Sequence, residues 1–334
     1  VNLKSPPKQT NKQTTMKNKL IALLATIGLV SSASAIEIND NLSINGFIDG
    51  SYQNIDSNIV GGDASSAGLD EIELNILANV GNVSGAIHLD TDADTGLLDN
   101  DHLFNIEQAH FTYSLDNGVS FTFGRYGSAL GFEREDPAGL YTFSRAYDGL
   151  AYDLGNVDAA SVEGLTISYA GEGFSVAASF EEAAGANLET ADLNVELFAS
   201  YTGIENVAIG VGYFIDNAND GVAVENDIFN INASYSFGKG LVAAEYTEID
   251  GDGVATAGET AFMLLADYDF NDKLGAAIRY SEAEVTSTTD YNKITIAPNY
   301  AITDSLGVIL EYSEYEIDGG VEADAVAVEL TYTF

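Results

Sequence analysis

From Leu42 to the end, the chain repeats one unit: about eight to ten residues alternating apolar with polar or small side chains, then a break rich in Gly, Asn and Asp. Over 191–201, Leu193, Val195, Leu197, Ala199 and Tyr201 share one face, and Asp192, Asn194, Glu196 and Ser200 take the other. Phe229, Ile231, Ala233, Tyr235 and Phe237 likewise oppose Asn230, Asn232, Ser234 and Ser236. A period of two marks a β-strand, whose successive side chains leave on opposite faces.

Sixteen such strands are predicted, near 42–53, 69–79, 83–89, 104–114, 119–126, 161–170, 174–180, 191–201, 207–215, 227–237, 241–247, 260–270, 273–280, 291–300, 306–313 and 324–334. Tight turns follow the even strands, among them Asp116-Asn117-Gly118 and Gly238-Lys239-Gly240, while longer stretches (54–68, 90–103, 216–226, 248–259, 314–323) follow the odd ones. An even antiparallel set with short turns at one rim, long loops at the other and both termini on the short-turn side predicts an all-β transmembrane barrel of the bacterial outer membrane, with periplasmic turns and extracellular loops.

The parity of charge is consistent with this. Glu71, Glu73, Asp192, Glu196, Glu245, Asp267, Arg279, Lys293, Glu311 and Glu329 all fall on the face opposite the apolar one, as a strand between lipid and a watery lumen requires. A soluble sandwich also alternates, but it gives no reason for Val326, Val328, Leu330, Tyr332 and Phe334 to alternate up to a terminal aromatic. Tyr201, Tyr213, Tyr268, Phe270, Tyr280, Tyr300, Tyr332 and Phe334 read as interfacial girdles at a common end of successive strands, built without tryptophan.

Residues 1–35 are a different object, with five lysines and no acid. From Met16 a basic start (Lys17, Lys19) leads into an apolar run from Leu20 to Val30 and the small-x-small pattern Ala33-Ser34-Ala35. This predicts a signal peptide over 16–35, preceded by a disordered or upstream extension at 1–15 and followed by a single barrel domain at 36–334.

The remaining chain then carries seven basic side chains against 52 acids, a net −45. So acidic a surface excludes nucleic acid as a partner. The absence of cysteine excludes a disulfide framework, a thiolate metal site and a cysteine nucleophile.

The terminal Leu330-Thr331-Tyr332-Thr333-Phe334 resembles the C-terminal signature that outer-membrane barrels present to their insertion machinery. The stretch from Ile106 to Pro137 (IEQAHFTYSLDNGVSFTFGRYGSALGFEREDP), with Tyr141-Thr142-Phe143-Ser144-Arg145 after it, resembles the Gram-negative porin superfamily, closest to the OmpL-like β-barrel porins. The resemblance implies a homotrimer in contact with outer-membrane lipid and lipopolysaccharide. It also implies assembly by the barrel-assembly machinery, and a third long loop that folds inward to constrict the channel.

That loop is 127–160, much the longest connection, and loops of this length are usually functional. Arg125, Arg134 and Arg145 lie in or beside it, interleaved with Glu133, Glu135 and Asp136 and with Phe132, Tyr141, Phe143 and Tyr147. Arg279 and Lys293 face the lumen from the thirteenth and fourteenth predicted strands, across the ring from the fifth. Together these eight charged residues form the expected constriction, in which arginines opposed to carboxylates set a transverse field. The same residues could instead only neutralise one another and pin the loop. Because the other lumen charges are acidic, a mild cation preference is expected.

His88 and His110 fall on lumen parity, with His102 between them, and read as lumen-lining polar residues without a catalytic motif. Asp90, Asp92 and Asp94 alternate as Ca²⁺ loops do, but the glycine comes one place late for an EF-hand and the twelfth-position glutamate is missing; a solvated acidic loop is the favoured reading. The sequence therefore predicts a non-enzymatic porin, without cofactor, passing ions and small hydrophilic solutes. A sugar- or acid-selective channel and a non-conducting adhesin are the alternatives.

Overall fold

The computed structural model describes residues 35–59, 62–91, 105–133, 137–147, 161–183, 193–217, 226–251, 258–284 and 290–334; the predicted upstream extension and all of the predicted leader but Ala35 lie outside them. Its strands are β1 (Ile36–Asn39), β2 (Leu42–Ser57), β3 (Ala64–Val80), β4 (Val83–Asp90), β5 (Asn105–Ser114), β6 (Val119–Gly127), β7 (Ser161–Ala170), β8 (Phe174–Ala183), β9 (Asn194–Tyr201), β10 (Val207–Ile215), β11 (Asn226–Phe237), β12 (Gly240–Gly251), β13 (Glu259–Asp269), β14 (Leu274–Glu284), β15 (Tyr291–Ala301), β16 (Leu306–Ile317) and β17 (Val321–Thr333). From β2 onward each strand pairs antiparallel with the next, and β17 returns to β2. The result is a closed barrel of sixteen strands, so no edge is left unpaired in the membrane.

The seam joins the two ends of the chain. Thr333 pairs with Phe47, and Gly46 and Phe334 exchange N–H···O bonds of 3.1 and 3.0 Å. Where β17 runs out, β1 takes over the same edge of β2 through Ile36↔Ile44. Four residues are too few to show a period, which is why β1 was not predicted. All sixteen predicted strands are present, but β2, β3, β16 and β17 run further than expected, reducing the predicted long connections 54–68 and 314–323 to 58–63 and 318–320. Beyond the lipid both faces of a strand meet water, so the alternation disappears while the backbone ladder continues.

The barrel is apolar outside and polar inside. Phe111, Phe123, Ile167, Val176, Leu264, Ile278, Ile296, Leu310 and Val326 are exposed on the outer face, whereas Glu73, Glu196, Glu245, Arg279, Lys293, Glu311 and Glu329 are buried on the inner one. An outer belt of that size fits hydrocarbon, because water would strip it of about 25 cal/mol per Å² of burial. Of the other predicted lumen charges, Glu71 and Asp267 are half-buried and Asp192 lies outside the described residues.

The aromatic girdle is two girdles. Tyr201, Tyr268, Phe270, Tyr300, Tyr332 and Phe334 stand at the short-turn rim, but Tyr213 and Tyr280 lie toward the long-loop rim. There Tyr213, Tyr280 and Tyr312 each donate a phenolic hydrogen bond to Asp227 (2.9 Å), Glu282 (3.0 Å) and Asp324 (2.7 Å). Strand direction reverses at every hairpin, so equal positions along successive segments belong to opposite rims.

Two bulges interrupt the ladders β2–β3 and β4–β5. Asp49 pairs with Glu71 and Gly50 with Leu69, leaving Asp70 extra in β3; His88 pairs with Gln108 and Leu89 with Ile106, leaving Glu107 extra in β5.

Candidate functional site

The described part of the third long connection between β6 and β7, residues 128–133 and 137–147, lies inside the barrel, bonded and packed against β9 to β16. That wall is prepared for it. The inward positions Ala243, Ala261, Met263, Leu265, Ala277 and Ala297 form an apolar pad on which Ala146 and Tyr147 pack, with Phe132 and Tyr141 at its margin. Burial drives the Tyr147 phenol far above its ordinary range, so it packs as a neutral ring. A second pocket, of Phe214, Ile228 and Ile249, takes Leu130. Gly212 makes that pocket possible, since a Cβ there would collide with Leu130 Cδ2.

A loop inside a barrel must satisfy its backbone, and here wall carboxylates do so. Glu196 on β9 accepts the Ala129 N–H at 2.8 Å and the Ser128 hydroxyl at 2.5 Å. On β12, Glu245 accepts the Phe132 N–H at 2.6 Å, and on β16 Glu311 accepts the Ser144 N–H at 3.0 Å. Within the loop, Glu133 accepts the Ala146 N–H at 2.7 Å. Bonds of this kind to a charged acceptor are each worth about 1.5–3 kcal/mol.

The two wall cations supply the opposite chemistry. Arg279 Nη1 donates to Glu133 at 2.5 Å and to the Thr142 hydroxyl at 2.7 Å; its Nη2 donates to Ser144 Oγ at 3.1 Å and to the Arg145 carbonyl at 2.7 Å. Lys293 Nζ reaches the same carbonyl at 2.6 Å and lies 4.8 Å from the centre of the Tyr315 ring. Both residues are essentially fully buried, at 1% and 0% exposure. A charge this deep needs a partner: Arg279 is ion-paired with Glu133, and Lys293 is held by the Arg145 carbonyl and the Tyr315 ring.

The structure thus brings together Glu133, Arg145, Arg279 and Lys293, but as a staple. Arg279 and Lys293 face the acid-bearing loop from the wall, the loop covers them, and it is the backbone carbonyl of Arg145 that both grip. Arg125 is not part of the group. Its strand continues in register through Gly124, whose φ of 129° few other residues adopt, and Arg125 pairs across β6–β7 with Glu163 on the parity of the exposed Phe123 and Leu165. Arg134, Glu135 and Asp136 lie outside the described residues, as do Asp92, Asp94 and His102. Asp90 is buried at the end of β4, opposite Glu73. Leu330 and Tyr332 are exposed on the outer face, and the Tyr332 ring lies 6.0 Å from that of Phe334 at the seam.

Sequence reasoning counted Glu196, Glu245 and Glu311 as lumen charge and did not foresee that they clamp the loop; nor did it foresee the Leu130 pocket. It also missed Glu73, His88 and Glu107 as a group, because Glu107 has the wrong parity until the β5 bulge turns it inward. His88 and His110 are on the inner wall as expected, their rings 6.4 Å apart.

Comparison with known proteins agrees with this architecture. No curated protein matches the chain. Among solved structures it resembles the anion-selective porin from Comamonas acidovorans, with a TM-score of 0.63 at 15% identity over 88% of this chain and 99% of that one. It also resembles the outer-membrane channel DcaP of Acinetobacter baumannii, with a TM-score of 0.65 at 14% identity over 92% and 100%. The trimer form of OmpT, an outer-membrane protein of Vibrio cholerae, gives 0.61 at 16% identity over 88% and 99%. A family model described as Gram-negative porin matches residues 20–320. With an inward loop stapled to the wall of a sixteen-stranded barrel, this chain belongs to the Gram-negative porin family.

Proposed function

We propose that the barrel is a passive diffusion channel of the outer membrane for ions and small hydrophilic solutes, narrowed by the stapled loop, and that it catalyses no reaction. The observation that carries this reading is the staple itself. A loop fixed by wall carboxylates from β9, β12 and β16 and by two buried cations narrows the lumen permanently instead of flapping within it. With Arg279 and Lys293 covered, acids dominate the charge left for the passage, which supports a mild cation preference. The neighbour solved in a trimer form supports a homotrimer. The three-part leader supports export, and the terminal Leu330, Tyr332 and Phe334 support delivery to the barrel-assembly machinery; the outer belt and girdles suit lipid and lipopolysaccharide.

Planar-bilayer recording of the purified protein tests the reading. Steady ohmic openings with a reversal potential favouring cations are expected. Saturable block by one sugar or organic acid would replace it with a selective channel, and silence with a non-conducting surface protein.

A further inference from the structure

The inner wall across from the stapled loop carries a cluster that channel formation does not use. In register, Asn75 on β3, His88 on β4 and Gln108 on β5 form one row, with Glu73 two residues from Asn75 and Glu107 beside Gln108. Strict alternation would send Glu107 out toward lipid. The bulge keeps both Glu107 and Gln108 on the inner face, where they are 6% and 1% exposed. His88 Nδ1 consequently lies 3.5 Å from Glu73 Oε1 and 3.9 Å from Glu107 Oε2, and the ligand atoms of the three residues all fall within 4.8 Å of one another.

These separations are too long for the hydrogen bond that a histidine makes to a carboxylate. They are close to the spacing between donors that share one cation, because bonds of about 2.0–2.2 Å arranged tetrahedrally put neighbouring donors roughly 3.3–3.6 Å apart. A second observation points the same way. Asn75 and Gln108, which flank His88 in register, are 0% and 1% exposed, and none of their four amide atoms has a hydrogen-bond partner; His88 Nε2 has none either. Buried amides are rarely left idle, and these two stand on either side of His88 in register, on the same inner face as the three ligands, where a metal-bound water would use them.

We propose that Glu73, His88 and Glu107 bind a divalent transition-metal cation on the inner wall of the barrel. One imidazole nitrogen and two carboxylate oxygens suit Zn²⁺, Co²⁺, Ni²⁺ or Mn²⁺, whereas Ca²⁺ and Mg²⁺ prefer oxygen ligands throughout. Asp90, opposite Glu73, adds a further acid to the surroundings, and His110 lies beyond His88. A cation fixed on the inner wall also alters the local field in the lumen, so metal in solution modulates the current. That consequence rests on the channel reading; the binding does not.

The test is titration of the chelator-stripped full-length barrel with Co²⁺ and Zn²⁺. One site per chain is expected, with a Co²⁺ visible spectrum of imidazole and carboxylate ligation, and affinity at least ~100-fold weaker in His88→Gln and in Glu107→Gln. Ca²⁺ should not compete. Native protein alone can overturn the proposal, by showing no stoichiometric Co²⁺ spectrum at millimolar metal, so a variant that fails to fold does not shield it. Retention of full affinity in both folded variants overturns it equally. In bilayers, micromolar Zn²⁺ should change the native current and leave that of His88→Gln unchanged. Silence before any metal is added counts against the channel reading and leaves the site standing.

Discussion

Two walls of the same barrel obey the same alternation and use it differently. The inner face of β12 to β15 shows Ala243, Ala261, Met263, Leu265, Ala277 and Ala297, and it is covered by the loop. The inner face of β3 to β6 is mostly polar, with Asn75, His88, Gln108, Thr112, Ser120 and Thr122 beside Ala86 and Tyr126. The difference teaches what a lumen-facing position is for. Small apolar residues make a flat pad that excludes water under a loop; polar ones keep hydrogen-bonding capacity for water, solute or metal. Charges divide in the same way: on the covered wall Glu245, Arg279 and Lys293 each hydrogen-bond the loop.

The sharpest way to break the covered wall is to remove one half of its buried ion pair. Arg279→Gln leaves Glu133 buried without its cation and deletes three further donor contacts, a loss of about 3–5 kcal/mol. The loop should detach, giving larger and noisier single-channel currents, faster proteolysis between residues 128 and 147, and a lower melting temperature. Adding Glu133→Gln should restore part of the stability, because the orphaned charge is then gone. A current indistinguishable from native would mean that the loop does not narrow the passage.

The apolar half of the attachment comes next. Leu130→Ala empties the pocket of Phe214, Ile228 and Ile249 and should cost about 2–4 kcal/mol of docking energy. Gly212→Ala should act in the same direction without touching the loop sequence, since its new Cβ would collide with Leu130 Cδ2. Hydrogen exchange at the backbone amides of 129–132 measures both. Protection unchanged in either variant would assign the hold on the loop to the polar staples alone.

Much of this division was legible in the sequence, though not where charge was counted. The barrel and its strand number followed from alternation and connection length, and the inward loop from the resemblance to porins. The covered wall also announced itself, for alternation fails in Ala261-Phe262-Met263-Leu264-Leu265, where both faces are apolar. A strand apolar on both faces is buried on both, so something had to lie against β13 from inside. The partners themselves could not be read. Phe132 and Glu245 are 113 residues apart, and only the closed ring with its register brings a particular carboxylate to a particular amide. Nor could Glu107 be placed, because a bulge is invisible until two strands are aligned.

The smallest expected effect separates the two walls most cleanly, since it exchanges one oxygen atom on each. Ala277 is 2% exposed within the covered pad, between Ala297 and the half-buried Asp267 in register, so Ala277→Ser puts a hydroxyl into the pad with one carboxylate as its neighbouring acceptor. The cost should be about 0.5–2 kcal/mol, the penalty for burying a hydroxyl that is only partly compensated. Ser168 on β7, across the lumen, is 3% exposed and its hydroxyl has no hydrogen-bond partner. Removing that oxygen in Ser168→Ala sacrifices no bond, so the change should stay within about 0.5 kcal/mol. Parallel urea unfolding of the two variants in the same micelles decides the matter. If both changes cost the same, the pad is as wet as the opposite wall and the loop is not sealed against it; unequal costs in the stated order mean that the loop keeps water off β12 to β15.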